Sequence, residues 1–330
     1  MVKNSIPNPQ KLRELWKPVF IRVGALPFIL AGILVVFGVW NPAFLTFLNI
    51  SSVFTEATFL IMLTLAQTLA LLSGGWDLSM GGAITLISIG STSAMVALQA
   101  YPGVDVFMGC LVGIGIGSLV GVVNGFGVAF WGISPFIVTF AMGSITHGMT
   151  LVLTKGGVSI FGVPASFAHI LYGTVLGIRV PVIVTIVLIG VMYFILSWTR
   201  FGRYIYALGG SREAARVMGI PVRRYTFLTY VVVGILVGIA AVMLTARIGA
   251  GEATLGLEMP LLTITAAVLG GVSLYGGEGT LYGAVLGAIT IALLRNGMDL
   301  AMIGPFAKLA AIGVVLIVVL VIDRYRRGMV

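Results

Sequence analysis

Long apolar runs separated by short polar breaks dominate the chain, and their lengths suit membrane-spanning helices. A hydrocarbon core of about 30 Å, crossed at 1.5 Å per residue, asks for roughly 20 residues. The runs that approach this length are Val23–Trp40, Thr55–Leu72, Met80–Leu98, Val106–Phe130, Pro135–Leu153, Val180–Ser197, Tyr225–Thr245, Pro260–Leu274, Leu281–Leu294 and Pro305–Ile322. The two that flank Gly276-Gly277 read as half-helices. The pattern predicts an all-α polytopic membrane protein with about 10 transmembrane helices.

The breaks carry the chemistry. Ser73-Gly74-Gly75-Trp76-Asp77-Leu78-Ser79 sets paired glycines, an aromatic ring, a carboxylate and hydroxyls between two apolar runs. An ionised side chain at the centre of a membrane helix costs roughly 2.5 to 3.5 kcal/mol, so such a break is tolerated beside a cavity or packed protein. A similar stretch, Gly270-Gly271-Val272-Ser273-Leu274, is followed by Gly276-Gly277, as the first is followed by Gly81-Gly82. Paired interruptions of this kind point to a transport site. Broken or re-entrant segments are therefore expected near Gly74–Ser79 and Gly270–Gly277. Gln67, Gly74, Gly75, Trp76, Asp77, Ser79, Asn124, Thr139, Thr265 and Ser273 are the candidate pathway or gate residues. A tryptophan face packs on C–H groups of a solute and a carboxylate accepts from its hydroxyls; gate packing and a helix cap are the competing roles for Trp76 and Asp77.

Composition agrees with the pattern. Hydrophobic residues make up 59% of the 330 and charged residues 9%, against about 25% charged in a soluble domain; mean hydropathy is +1.14. The net charge of +9 is unevenly placed: 14 of the 19 basic residues fall in three stretches. Lys3, Lys11, Arg13, Lys17 and Arg22 precede the first run; Arg200, Arg203, Arg212, Arg216, Arg223 and Arg224 lie between the sixth and seventh; Arg324, Arg326 and Arg327 follow the last. Since basic loops stay in the cytoplasm, both termini and the 200–224 loop are expected there, with loops 154–179 and 249–258 outside. This divides the chain into a basic cytoplasmic segment 1–22, one transmembrane domain 23–325 and a tail 326–330. No small-residue cleavage site follows the first run, which is kept as a helix rather than a signal peptide. The charge thus reflects orientation in a lipid bilayer, and nucleic-acid binding is not expected.

Gly113, Gly117, Gly121 and Gly125 share one helical face, as do Gly279, Gly283 and Gly287, and Gly234 with Gly238. Such ridges let backbones approach closely. Cys110 reads as a small core residue and His147 as a satisfied core histidine. Two distant histidines, one cysteine and an isolated Asp77 supply no metal set, dyad or triad, and no GxxxxGK[ST] phosphate loop is present. The chain is expected to be no enzyme and to bind no cofactor.

Within the basic loop, Ser211 to Pro221 has a start, a body and a stop: Ser211 caps, Glu213 pairs in register with Arg216, and Gly219 and Pro221 terminate. So short a helix needs docking to be stable. Small Ala214, Ala215 and Gly219 offer a face for a groove in another protein.

These stretches together resemble the permease subunits of ATP-binding-cassette importers for monosaccharides of the ribose, xylose, arabinose and galactose type. The resemblance runs from about residue 45 to 325. It is carried by Ser73–Ser79, where the family commonly reads GGIDLS, by Asn124-Gly125 with Ser134–Thr139, by Thr199–Arg203, by Ala207–Gly210 leading into Glu213–Ile220, and by Val268–Leu274 with Gly276-Gly277. It implies a dimeric pore of two permease copies, identical or paralogous, in the bacterial inner membrane. It also implies cytoplasmic ATPase subunits that hold ATP and Mg, and an extracytoplasmic sugar-binding protein. Under it, Ser211, Arg212, Glu213, Ala214, Ala215, Arg216 and Gly219 form the coupling helix seated on the ATPase. An ELDAIAA-like run is replaced by Glu258–Ala266, His147 stands where relatives often have arginine, and Trp76 replaces an aliphatic residue. A nucleoside or an amino acid is an alternative solute, and an ion-coupled secondary transporter or channel acting alone is the alternative class.

Overall fold

A computed structural model describes residues 26–327. The basic segment 1–22 and residues 328–330 lie outside the described residues. Among the described residues, thirteen α-helices and four two-residue strands follow one another. They are α1 (Leu26–Trp40), α2 (Phe47–Leu72), α3 (Met80–Ala97), α4 (Val104–Ala129), α5 (Pro135–Leu153), β1 (Ser159–Ile160), α6 (His169–Tyr172), β2 (Thr174–Val175), β3 (Ile178–Arg179) and α7 (Val180–Trp198). Then come α8 (Arg200–Gly210), α9 (Arg212–Val217), α10 (Val222–Ile248), β4 (Gly251–Glu252), α11 (Met259–Leu269), α12 (Leu281–Leu300) and α13 (Pro305–Arg327).

Each of the ten apolar runs overlaps a helix among the described residues, Val23 to Ala25 of the first run lying outside them. Among the described residues seven helices, α2, α3, α4, α5, α7, α10 and α12, are long and apolar enough to cross a membrane by length and composition; Leu26–Trp40, Met259–Leu269 and Pro305–Val321 are shorter apolar helices. The half-helix expectation holds on one side of Gly276-Gly277 only. α11 stops at Leu269, five residues before the predicted end, because Gly271 and Val272 donate back to Val268 and Ala267 and turn the chain out. α12 instead runs a full 20 residues. The predicted stop at Leu294 reflects the polar Arg295-Asn296 that follows, yet both side chains are paired, with Glu258 and Asn49, and the helix continues through them.

α2 is the axle of the bundle. Every residue from Ala57 to Leu72 is buried, the signature of a helix enclosed by protein on all sides. α7, α10, α11 and α12 pack on it, while α4, α5 and the outer side of α7 present most of their apolar surface outward. The glycine ridges pack on each other. A Cβ on Gly117 would stand 2.5 Å from the Gly234 carbonyl oxygen and 2.8 Å from Gly238 Cα. α4 and α10 therefore cross in backbone contact, which suits association in lipid, where close packing rather than water exclusion drives assembly. Gly283 and Gly287 seat α12 on the Gly270 and Ala266 carbonyls of α11 in the same way.

β1 pairs antiparallel with β4, Ser159 opposite Glu252, so loops 154–179 and 249–258 meet at one end of the bundle. The Arg-rich α8–α9 segment sits at the other. One expectation fails on α5: His147 Nδ1 is buried and has no hydrogen-bond partner among the described residues, so the ring is not satisfied there.

Candidate functional site

The Ser73–Ser79 break is held by hydrogen bonds from three other helices and a loop. Asp77, 3% exposed, accepts from the Ser79 amide at 2.8 Å and from Ser79 Oγ at 2.5 Å. Asn124 on α4 donates from Nδ2 to Ser79 Oγ at 2.8 Å. Thr139 on α5 accepts from the Leu78 amide at 3.1 Å and donates to the Pro135 carbonyl. Tyr230 on α10 donates to the Trp76 carbonyl at 3.3 Å. Three positions far apart in sequence thus fix a single seven-residue loop. Asp77 acts as a local brace for the start of α3, the capping role considered for it, with the carboxylate turned onto Ser79.

Trp76 faces the second break. Its Nε1 donates to the Leu274 carbonyl at 3.2 Å, and its ring meets Phe136 edge-on at 6.4 Å. Ser273, fully buried, turns the second loop by accepting from the Tyr275 amide and donating its own amide to the Glu278 carbonyl. The two sequence echoes therefore touch. A Cβ on Gly276 would lie 2.7 Å from Gly74 Cα and 2.9 Å from Gly209 Cα. Gly74 itself turns at φ +74°, a region that favours glycine. The Gly277 amide donates to the Leu72 carbonyl, the last residue of α2, at 3.1 Å.

The third partner in this junction is Gly209, near the end of α8. A Cβ there would collide with the Leu72 carbonyl oxygen and would stand 3.0 Å from Gly277 Cα. Tyr206, one turn earlier, donates to the Gly279 carbonyl at 3.0 Å. α8 is thus fastened to both loops at once. Beyond it, Ser211 caps α9 through the Ala214 amide, and Gly219 closes the helix at φ +76°. Arg212, Glu213, Ala214, Arg216, Val217, Met218 and Gly219 are exposed, whereas Ala215 is fully buried against the chain itself. Of the three small residues expected on the outward face, Ala214 and Gly219 are there and Ala215 is not; charged and large apolar side chains share that face, with Val217 87% exposed. The Glu213–Arg216 pair is solvent-exposed at 3.6 Å and adds little stability.

Gly74, Gly75, Trp76, Asp77, Ser79, Asn124, Thr139 and Ser273 are brought together. Gln67 and Thr265 are not part of this set: Thr265 donates to Leu261 in its own helix, and Gln67 is fully buried with neither amide atom partnered among the described residues. Tyr230 escaped sequence reasoning. The signal available for it was weak, a single phenol in an apolar helix at the depth of the Gly234–Gly238 ridge.

The site is thus a helical membrane bundle with two abutting breaks, both fastened to an exposed arginine-bearing arm. The chain belongs to the family described as the branched-chain amino acid transport system/permease component, which matches residues 49–320. Among similar proteins is the ribose import permease protein of Bacillus subtilis (strain 168), 34% identical over 301 residues, covering 90% of this chain and 92% of that one. The D-allose transport system permease protein of Escherichia coli (strain K12) is 32% identical over 299 residues, 90% of each chain. The L-arabinose ABC transporter permease protein of Azospirillum brasilense is 31% identical over 287 residues, 87% of this chain and 83% of that one. No solved structure matches the chain.

Proposed function

We infer that this chain is the membrane permease subunit of an ATP-binding-cassette importer that carries a monosaccharide into the cytoplasm. One observation carries the mechanism: Gly209, three residues before the start of α9, abuts the ends of both loop breaks. A push on α9 has nowhere to go but into those loops, because α8 is joined to them by backbone contact and by the Tyr206–Gly279 hydrogen bond. Closely packed elements transmit displacement rather than absorb it.

The arrangement works in a dimer of permease copies within the bacterial inner membrane. All ten apolar helices span, residues 23–325 form the transmembrane domain, and both termini lie in the cytoplasm with the 200–224 loop. Cytoplasmic ATPase subunits bind ATP and Mg and receive α9; this chain supplies no ATPase site and no cofactor of its own. An extracytoplasmic binding protein delivers the sugar at the end where β1 meets β4. Asp77, Ser79, Asn124 and Thr139 hold the inner gate loop in register, and Trp76 latches it to the second loop. The latch is two weak contacts, one hydrogen bond of net worth about 1 kcal/mol and one ring contact, so it opens when the arm moves.

Proteoliposomes decide between this reading and a solitary ion-coupled transporter. With the cognate ATPase and binding protein present, ATP is expected to drive accumulation of at least one of D-ribose, D-allose and L-arabinose, and an imposed proton or sodium gradient to drive none. Gradient-driven accumulation by the permease alone would overturn it.

A further inference from the structure

The bundle holds a second polar centre, at the end opposite α9. Charged side chains are otherwise scarce in the spans, yet Glu56 of α2, Arg247 of α10, Arg295 and Asp299 of α12, and Lys308 of α13 converge on one cavity of about 340 Å³. Ser52 and Asn296 line it too, and Phe59 and Leu60 provide an apolar wall. Ionisable groups inside membrane-spanning segments are costly and mark solute paths when they gather round a cavity. Three ion pairs organise the lining: Arg247 with Glu56, Lys308 with Asp299, and Arg295 with Glu258 at 2.9 Å. Asn49 and Asn296 exchange reciprocal amide hydrogen bonds at 2.8 and 3.0 Å beside them.

Three cations and two anions line the cavity, and Glu258, outside the lining, neutralises Arg295, so every charge is paired and a neutral solute meets no unbalanced ion. Each pair is made through one carboxylate oxygen, Oε1 of Glu56, Oε1 of Glu258 and Oδ1 of Asp299. A carboxylate carries a second oxygen, and a guanidinium has five N–H donors. What such a lining offers is a dense alternation of donors and acceptors beside an apolar wall. That suits a small neutral polyol, whose hydroxyls donate and accept and whose C–H faces are apolar. The volume lies near the lower end of the range for ligand pockets, about 300 to 1,000 Å³, and so favours a single sugar ring over a larger solute.

We propose that this cavity is an aldose-receiving site, where the sugar rests between its delivery and the opening of the inner gate. It rests on the sugar reading of the preceding subsection and assigns that path a second station, built from residues outside the gate. Glu56 and Arg247 join α2, the buried axle, to α10, which also carries Tyr230 at the gate. Occupancy at the outer end therefore bears on the same two helices that frame the inner loop.

The test uses the permease assembled with its ATPase in lipid nanodiscs, without the binding protein, and saturation-transfer NMR with D-ribose, D-allose and L-arabinose as probes. Wild type is expected to saturate the C–H protons of the transported aldose at millimolar concentration. The double variant Glu56→Gln/Arg247→Gln, which removes both charges of a pair together, and the single variant Asn296→Ala are each expected to cut the signal at least about fivefold. Melting temperatures close to wild type certify folding, and Asn296→Ala keeps the test open should the double variant fold poorly. A wild-type signal that both variants leave intact places the sugar elsewhere and overturns the proposal. No aldose signal from a transporter that does carry out ATP-driven aldose uptake removes the site and leaves the sugar reading standing; the ion pairs are then a structural latch only. Failure of uptake for all three sugars removes the sugar reading, and the site with it.

Discussion

Gly209→Ala is expected to reduce ATP-driven uptake at least about tenfold, while the permease still assembles with its ATPase. The added methyl group falls on the Leu72 carbonyl oxygen and crowds the Gly277 backbone. Two effects oppose each other here. Alanine in place of glycine favours a helix by about 1 kcal/mol, which would strengthen α8. Overpacking against backbone costs typically 1 to 3 kcal/mol and occasionally more, and backbone on both sides leaves no flexible side chain to yield. The steric cost wins, and the arm shifts off the loops. Gly210→Ala is the control, because a Cβ there meets nothing within 4 Å; its uptake rate is expected to stay within twofold of wild type. Equal losses in both variants would mean that the contact is not what transmits motion.

A second large effect belongs to the α4–α10 crossing. Gly117→Leu is expected to lower the melting temperature in detergent by roughly 5 to 10 °C, with poor recovery of folded protein. The two backbones touch at Gly117, Gly234 and Gly238, so a leucine must push whole helices apart. Such a separation also loosens the gate, since Tyr230 and Asn124, which steady the Ser73–Ser79 loop, are carried by these two helices. Gly115→Leu, two residues earlier, points a side chain into open space and is expected to leave the melting temperature within about 2 °C. The comparison separates backbone contact from any general intolerance of bulk in α4.

Much of the fold was legible because lipid allows few solutions. A spanning segment must satisfy its backbone internally, so apolar length alone pointed to helices, seven of which among the described residues are long enough to cross, and Pro135–Leu153 was placed to the residue. Ends were read poorly where polar residues sit inside a helix. Phe47 to Phe54 belong to α2 although Asn49, Ser51 and Ser52 interrupt the apolar run, because Thr46 caps the helix and Asn49 pairs with Asn296. The same partnership hid the last turn of α12. Local chemistry identified the Ser73–Ser79 and Gly270–Gly277 breaks and the α9 helix with its Ser211 cap. What local sequence does not contain is the meeting of Gly74, Gly209 and Gly276, three positions separated by more than a hundred or by dozens of residues and joined only by packing. Ala215 was misread for a related reason: a small residue on a short helix suits a partner's groove and the chain's own core equally well, and burial decided for the core. Glu56, Arg247, Arg295 and Asp299 sit on three different helices, and the cavity they share appears only in three dimensions.

The central claim is that force enters through α9 and reaches the gate through Gly209. The most direct measurement is sugar accumulation in sealed proteoliposomes by the complete importer after Arg212–Val217 is replaced by a six-residue glycine–serine linker, with ATP hydrolysis followed in parallel. Transport is predicted to fall to the level of empty vesicles whether or not the ATPase still turns over. Accumulation within twofold of the wild-type rate would contradict the account.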